Sequence, residues 1–331
     1  MWFRNASDIT GLMIDNFVEI VLSKFDISFP FSLLSKNRGL SDSVVYKVNS
    51  SDGVFALKSY DPSALCSLKN AHAFLDQTRK NKFVLFPLIH RNKENATVVY
   101  HDGFYWDLSS WIPGNIPDCS IFNLIQCINK LARFHIAISS EQSGFGIMPA
   151  MECRKIEINS FSISAINFSA IGFLPLFNLI ELLKWIKQEV GILMVSPNPS
   201  VKTQYCWGDA RRENILFNGS EISGFIDYCA IRNDCREVDV SRMISSFAGD
   251  DYLMWTNALN AYSETSEINY LVCRKLDILG TIVSLYRWLK WFQEPMPDAM
   301  INPGIQRCTD IFRRIEKWKE HGSLKSMLYY D

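Results

Sequence analysis

Between residues 207 and 228 the chain reads WGDARRENILFNGSEISGFIDY, and this stretch leaves its local fold little freedom. Asn218-Gly219 stands between two short apolar runs, 215–217 and 222–226, and Asn-Gly so placed is the strongest short-range signal for a tight β-hairpin. A hairpin brings its open ends together. Asn214, just before the first strand, and Asp227, just after the second, are therefore predicted to meet at one end, with Asp209 five residues upstream of Asn214.

That order suits one kind of chemistry. Phosphoryl transfer needs a carboxylate to accept a hydrogen bond from the attacking hydroxyl, and oxygen ligands to hold magnesium against the phosphates. Asp209 fits the first role; Asn214 and Asp227 fit the second. Asp-x4-Asn alone is a common pair, and the hairpin with its following Asp is what gives it weight.

The whole chain sets broader bounds. Its 331 residues, 48% of them hydrophobic, suffice for two lobes with separate cores. A net charge of -1 offers no footprint for nucleic acid or an anionic membrane. Nine cysteines without a Cys-x-x-Cys pair, and an N-terminus MWFRNASD unlike a signal peptide, predict a reducing, cytoplasmic setting. The most apolar stretches, 168–186 and 276–292, carry charges at helical spacing, which predicts core helices and not membrane spans.

The first third reads as a helix around Leu12, Phe17, Ile20, Val21 and Phe25, then strands at 31–35, 44–48 and 54–60, a helix over 62–79, and strands near 86–89 and 97–101. Pro113-Gly114 is a breaker, after which helical periodicity dominates, as in Ile125, Ile128, Ala132 and His135 or Leu179, Leu182, Leu183 and Ile186. The expected division is a strand-rich lobe over 1–106, a hinge over 107–114 and a helical lobe over 115–331. Asp234-x-x-Glu237 has the form of a capping box opening a helix with Val240, Met243, Ile244 and Phe247 on its apolar side.

In the first lobe, Phe55-Ala-Leu-Lys58 has the form of a strand whose lysine neutralises nucleotide phosphates. Lys58 is the candidate; Lys47, on the preceding strand, is the competitor. The loop 37–43 would lie over the phosphates through Gly39 and Ser41, although an ordinary polar hairpin loop reads nearly the same.

These segments, with Trp111-Ile-Pro-Gly114, Leu131-Ala-Arg-Phe-His135, Gly208-Asp209, Asn214-Ile-Leu216, Ile226-Asp227 and the run from Asp234 to Arg242, resemble the aminoglycoside phosphotransferase and choline kinase-like superfamily over about 34–292. Within it the chain is most similar to an uncharacterised bacterial phosphotransferase branch with a comparable segment to Arg287-Trp-Leu-Lys-Trp291. The resemblance implies an α+β, bilobal protein-kinase-like fold, with a small antiparallel-sheet N-lobe and a larger, mainly helical C-lobe. It further implies Mg2+-dependent transfer of phosphate from ATP or GTP to a hydroxyl of a small acceptor, an amino sugar or amino alcohol, with the segment from Asp107 to Trp111 holding the base.

Three departures stand against that pattern. Trp207 replaces the His that usually opens the catalytic loop; the helix around 68–75 lacks the glutamate that pairs with the strand lysine, Asp76 being the nearest acid; and the phosphate loop has a single glycine. The alternative is therefore a weak or silent nucleotide-binding regulatory protein. Acidic residues near Asp209 favour a cationic acceptor, but Arg211, Arg212, Arg232, Arg236 and Arg242 interleave with them. Asp239 and His135 read as structural, and Trp288 and Trp291 as core more than acceptor pocket.

Overall fold

The computed structural model describes residues 16–38, 43–139, 145–146, 148–167, 171–172, 174–195, 201–294 and 298–328. Gly39 and Ser41, the expected phosphate-loop residues, lie outside them, as does Leu12 of the expected first helix. In chain order the elements begin with α1 (Asn16–Leu22), β1 (Ser32–Arg38), β2 (Val44–Ser50), β3 (Gly53–Tyr60), α2 (Leu65–Lys80), β4 (Ile89–His90), β5 (Val99–His101) and β6 (Phe104–Ser110). Then follow α3 (Ile121–Ala137), β7 (Phe145–Gly146), α4 (Pro149–Ser160), α5 (Leu176–Val195) and β8 (Val201–Cys206). The last third holds β9 (Ile215–Asn218), β10 (Glu221–Phe225), β11 (Arg232–Cys235), α6 (Glu237–Ala248), α7 (Tyr252–Ser263), α8 (Tyr270–Trp291) and α9 (Asp298–Glu320).

The chain divides into two compact units, one of Met1–Asp118 with Arg212–Arg232, the other of Cys119–Arg211 with Asn233–Asp331. This division differs from the expected one: it falls after Asp118, and residues 212–232 pack with the N-terminal unit. Residues 107–110, expected to open the hinge, continue β6.

The N-terminal unit is built on an antiparallel sheet of order β1-β2-β3-β6-β4, with β5 also on β6. Strand alternation sends Tyr46, Val48, Phe55, Leu57, Trp106 and Leu108 into a cluster closed by Val18, Val21, Leu22 and Phe25 of the first helix and turn. Residues between them in sequence, Lys58, Tyr60 and Asp107, thereby face the other way. That face is covered by α2, which buries Leu68, Ala71, His72, Phe74 and Leu75.

The predicted hairpin is β9–β10, paired antiparallel. Asn218 closes β9 opposite Glu221, so the loop is Gly219-Ser220, one residue later than expected, with Gly219 at φ 63. The hairpin belongs to the N-terminal unit because Asn115 and Phe217 exchange backbone hydrogen bonds of 2.9 Å and Phe225 donates to the Leu85 carbonyl. Gly114, at φ 139, permits this approach: a Cβ there would meet the Phe217 carbonyl oxygen at 2.6 Å.

The C-terminal unit packs α8 against α4, α6 and α9, and α3 against α6 and α7. Its sheet has the order β11-β8-β7. Trp288 is buried against Trp291 and Phe292, in keeping with a core role. The capping box does not form. Arg236 holds the N-cap position of α6 without a capping side-chain hydrogen bond, because Asp234 spends its carboxylate on the amides of Cys235 and Ala150, and Glu237 on that of Asn269. Among the described residues no helix is long and apolar enough to cross a membrane.

Candidate functional site

In the N-terminal unit, Lys58 of β3 reaches Asp227 just beyond β10, Nζ to Oδ1 3.2 Å. The two side chains are 22% and 42% exposed, so a charge is available at the surface while its stem is held. Burial alone would lower the lysine's pKa, but the pull of Asp227, with lesser pulls from Cys229 and Asp107, outweighs it and holds the pKa above 10.5. Asp227 sits at φ 60, a left-handed conformation that few residues other than Gly, Asn and Asp adopt readily. Asn214 ends a single 3-10 turn, and its carbonyl accepts the Ile226 amide at 2.9 Å, which brings the two open ends of the hairpin together. The competitor Lys47 is used elsewhere, its Nζ standing 4.5 Å over the Trp111 ring. Trp111 donates its own amide to Val54.

Asp107, expected to open the segment that holds the nucleotide base, lies inside β6 with a fully buried side chain. Its Oδ2 accepts from Tyr60 Oη at 3.0 Å, Tyr228 Oη at 2.7 Å and His72 Nε2 at 3.0 Å. Both phenol pKa values lie well above the ordinary 10, first from burial and then from the neighbouring Asp107, so both tyrosines remain donors.

In the C-terminal unit, Asp209 follows Gly208, whose φ of 79 turns the chain after β8. Its carboxylate is 13% exposed and bracketed by two arginines, with Arg211 Nη2 3.0 Å from Oδ2 and Arg242 Nε 2.9 Å from Oδ1. The loop beneath is braced by Asp239 of α6. Oδ2 accepts the Trp207 amide at 2.6 Å and Oδ1 the Gly208 amide at 2.7 Å. His135 Nε2 lies 3.1 Å from Oδ2, and its Nδ1 lies 2.7 Å from Tyr262 Oη. His135, Cys206 and Asp239 converge as three potential metal ligands, but those amide and imidazole bonds already engage the carboxylate. Trp207, standing where the related pattern has His, is fully buried.

Sequence reasoning put Arg242 among the arginines near Asp209 without pairing the two, and missed the reach of Asp239. The available signal was their spacing, since i and i+3 put both on one side of a helix.

A family model described as the phosphotransferase enzyme family matches residues 35–274, well over half of the chain. The chain belongs to that family. The expectation of a phosphotransferase acting on an alcohol group stands with it. A search of curated proteins by sequence finds no match. Three solved structures share the protein-kinase-like fold at low identity. Spectinomycin phosphotransferase, in complex with ADP and spectinomycin, is 13% identical with a TM-score of 0.67, covering 92% of this chain and 98% of its own. A microcompartment-associated aminopropanol kinase is 14% identical with a TM-score of 0.63 over 93% and 98%. An amicoumacin kinase, in complex with AMP-PNP and Ca2+, is 11% identical with a TM-score of 0.63 over 94% of each chain. The bilobal α+β reading thus holds.

Proposed function

We propose that this phosphotransferase moves the γ-phosphoryl group of ATP or GTP to a hydroxyl of a small amino sugar or amino alcohol. The observation that carries the reading is the Lys58–Asp227 pair at the mouth of the hairpin that also presents Asn214. It is one ammonium beside a carboxylate, with Asn214 at the neighbouring strand end, in the order the chemistry asks for. An Asp carboxylate and an Asn amide are hard oxygen ligands, the donor set magnesium takes alongside phosphate and water. They fit Mg2+, which when bound neutralises charge on the transferring phosphates.

The chain's own residues do the rest. Lys58 meets the non-transferred phosphates with its ammonium. Asp209 accepts the acceptor's hydroxyl proton as the acceptor oxygen bonds to the γ-phosphorus and the bond to the bridging oxygen breaks, the nucleoside diphosphate leaving with that electron pair. Arg211 and Arg242 fix the Asp209 carboxylate, and with about four acceptor sites on two oxygens it can take a hydroxyl as well. They also offset its charge. Support for an amino-bearing acceptor therefore comes from the spectinomycin and aminopropanol enzymes of like fold, more than from local charge.

The test is a thermal-shift and calorimetric titration with Mg2+ and ATP or GTP, followed by a panel of amino alcohols, aminoglycosides, sugars and nucleosides screened for diphosphate release. Ligand at a hundredfold excess over Kd stabilises the native state by about 2.7 kcal/mol, a readily visible shift. Absence of binding at millimolar nucleotide refutes the reading. Tight binding with silence across the panel favours the regulatory alternative, which the missing helix glutamate already motivates.

A further inference from the structure

The helix that covers the Lys58 face, from which a kinase-like lobe would offer a glutamate to the strand lysine, has no glutamate and instead turns His72 toward Asp107. A carboxylate is nonetheless present on that face, supplied by the sheet. In the β3–β6 ladder Lys58 stands directly opposite Asp107. Directly opposed residues of an antiparallel pair share a face, with Cβ atoms about 5 Å apart.

We propose that Asp107 is the positioning residue for Lys58, taking over from the strand the part a helix glutamate would play, with His72, Tyr60 and Tyr228 holding it in place. Three donors converge on Oδ2, while Oδ1 has no hydrogen-bond partner among the described residues. A buried carboxylate oxygen left so is costly unless a positive charge stands near, and Lys58 is the cation opposite. The charge of Asp107 is among those that hold the lysine protonated.

The same carboxylate gathers the parts that must stay in register. Tyr60 lies two residues along β3 from Lys58, on the same face; His72 comes from α2; Tyr228 follows Asp227 directly. One buried acid thus fixes the lysine's strand, the helix over it and the backbone next to the proposed metal ligand. The missing glutamate then ceases to argue for inactivity.

This inference rests on the proposed nucleotide-binding role of Lys58, and the experiment separates the two. Mg2+-ATP affinity is measured by calorimetry for the wild type, Asp107→Asn and the double variant Asp107→Asn/His72→Glu, with melting temperature as the fold control. The wild type binds; Asp107→Asn loses on the order of tenfold or more in affinity, the equivalent of about 1.4 kcal/mol. The double variant, which moves the carboxylate to α2, recovers most of that loss. A purely structural role would not be rescued by relocating charge. A wild type that binds no nucleotide refutes the parent reading. A folded Asp107→Asn that binds as well as the wild type overturns this inference alone, as does a folded double variant no better than the single one. If Asp107→Asn does not fold, the double variant decides: folded with binding supports the inference, folded without binding overturns it. If neither folds, Asp107 is a structural brace and the positioning role is overturned.

Discussion

Lys58 and Asp227 lie 169 residues apart in the chain and 3.2 Å apart in the fold. The contact joins the central sheet of the N-terminal unit to a hairpin that the chain delivers only after the whole first part of the other unit, 119–211. It also makes a charge prediction possible.

Because the folded-state pKa of Lys58 lies above 10.5, the stability its charge contributes is complete below the unfolded value and is lost as pH rises through the folded one. The stability difference between wild type and Lys58→Met is therefore expected to stay level from roughly pH 6 to 9 and to shrink above about 10.5. Urea unfolding across that range measures it. A difference that changes between pH 6 and 9 counts against the pairing.

Asp227→Ala is expected to weaken Mg2+-dependent nucleotide binding, while Asp209→Asn leaves binding largely intact, since only the first is assigned to the metal. Magnesium titrations of the two variants distinguish the roles. Equal loss in both would show the assignment to be wrong.

Asp209→Asn should lower turnover on the order of 100- to 10,000-fold, the range of a positioned general base, with the melting temperature close to wild type. Acceptor-dependent diphosphate release provides the readout. Turnover that survives the substitution would remove Asp209 from the mechanism.

Asp239→Ala takes the acceptor from two buried amides and from His135. Breaking such a buried constellation costs about 3–5 kcal/mol, so a large fall in denaturation midpoint is expected, with activity lost alongside. A change under about 1 kcal/mol, the level of an exposed pair, would mean the brace contributes little.

Gly114→Ala should also destabilise, by about 1–3 kcal/mol, because the added methyl meets the Phe217 carbonyl oxygen at 2.6 Å and the backbone at φ 139 disfavours a side chain. A neutral result by chemical denaturation would show that the hairpin can shift away.

Much of this was legible from residues alone. The hairpin followed from Asn218-Gly219 between apolar runs, and the strand that carries Lys58 from its alternation. What stayed hidden depends on partners distant in sequence. Asp107 and Ser109 make β6 look like a polar connector, yet both are buried; Tyr60, His72 and Tyr228, contributed by three other segments, make an acid at that depth tolerable. Asp239 misled in another way, since an acid in a helix's first turn ordinarily serves its own helix, and here it serves amides 31 and 32 residues upstream. The unit boundary escaped because no composition change marks where 212–232 leaves one unit to complete the other.

That borrowed segment bears on how the protein is made. During synthesis the first 118 residues emerge without the strands that finish their unit, and these arrive only once residue 232 has left the ribosome, by which time 119–211 is already outside. At typical elongation of about 5–20 residues per second the gap lasts from about 6 to over 20 seconds, long against the folding of most small domains. The nascent N-terminal unit waits without the hairpin partners of its Leu85 and Asn115 backbone groups, and no product terminated before residue 212 can complete it.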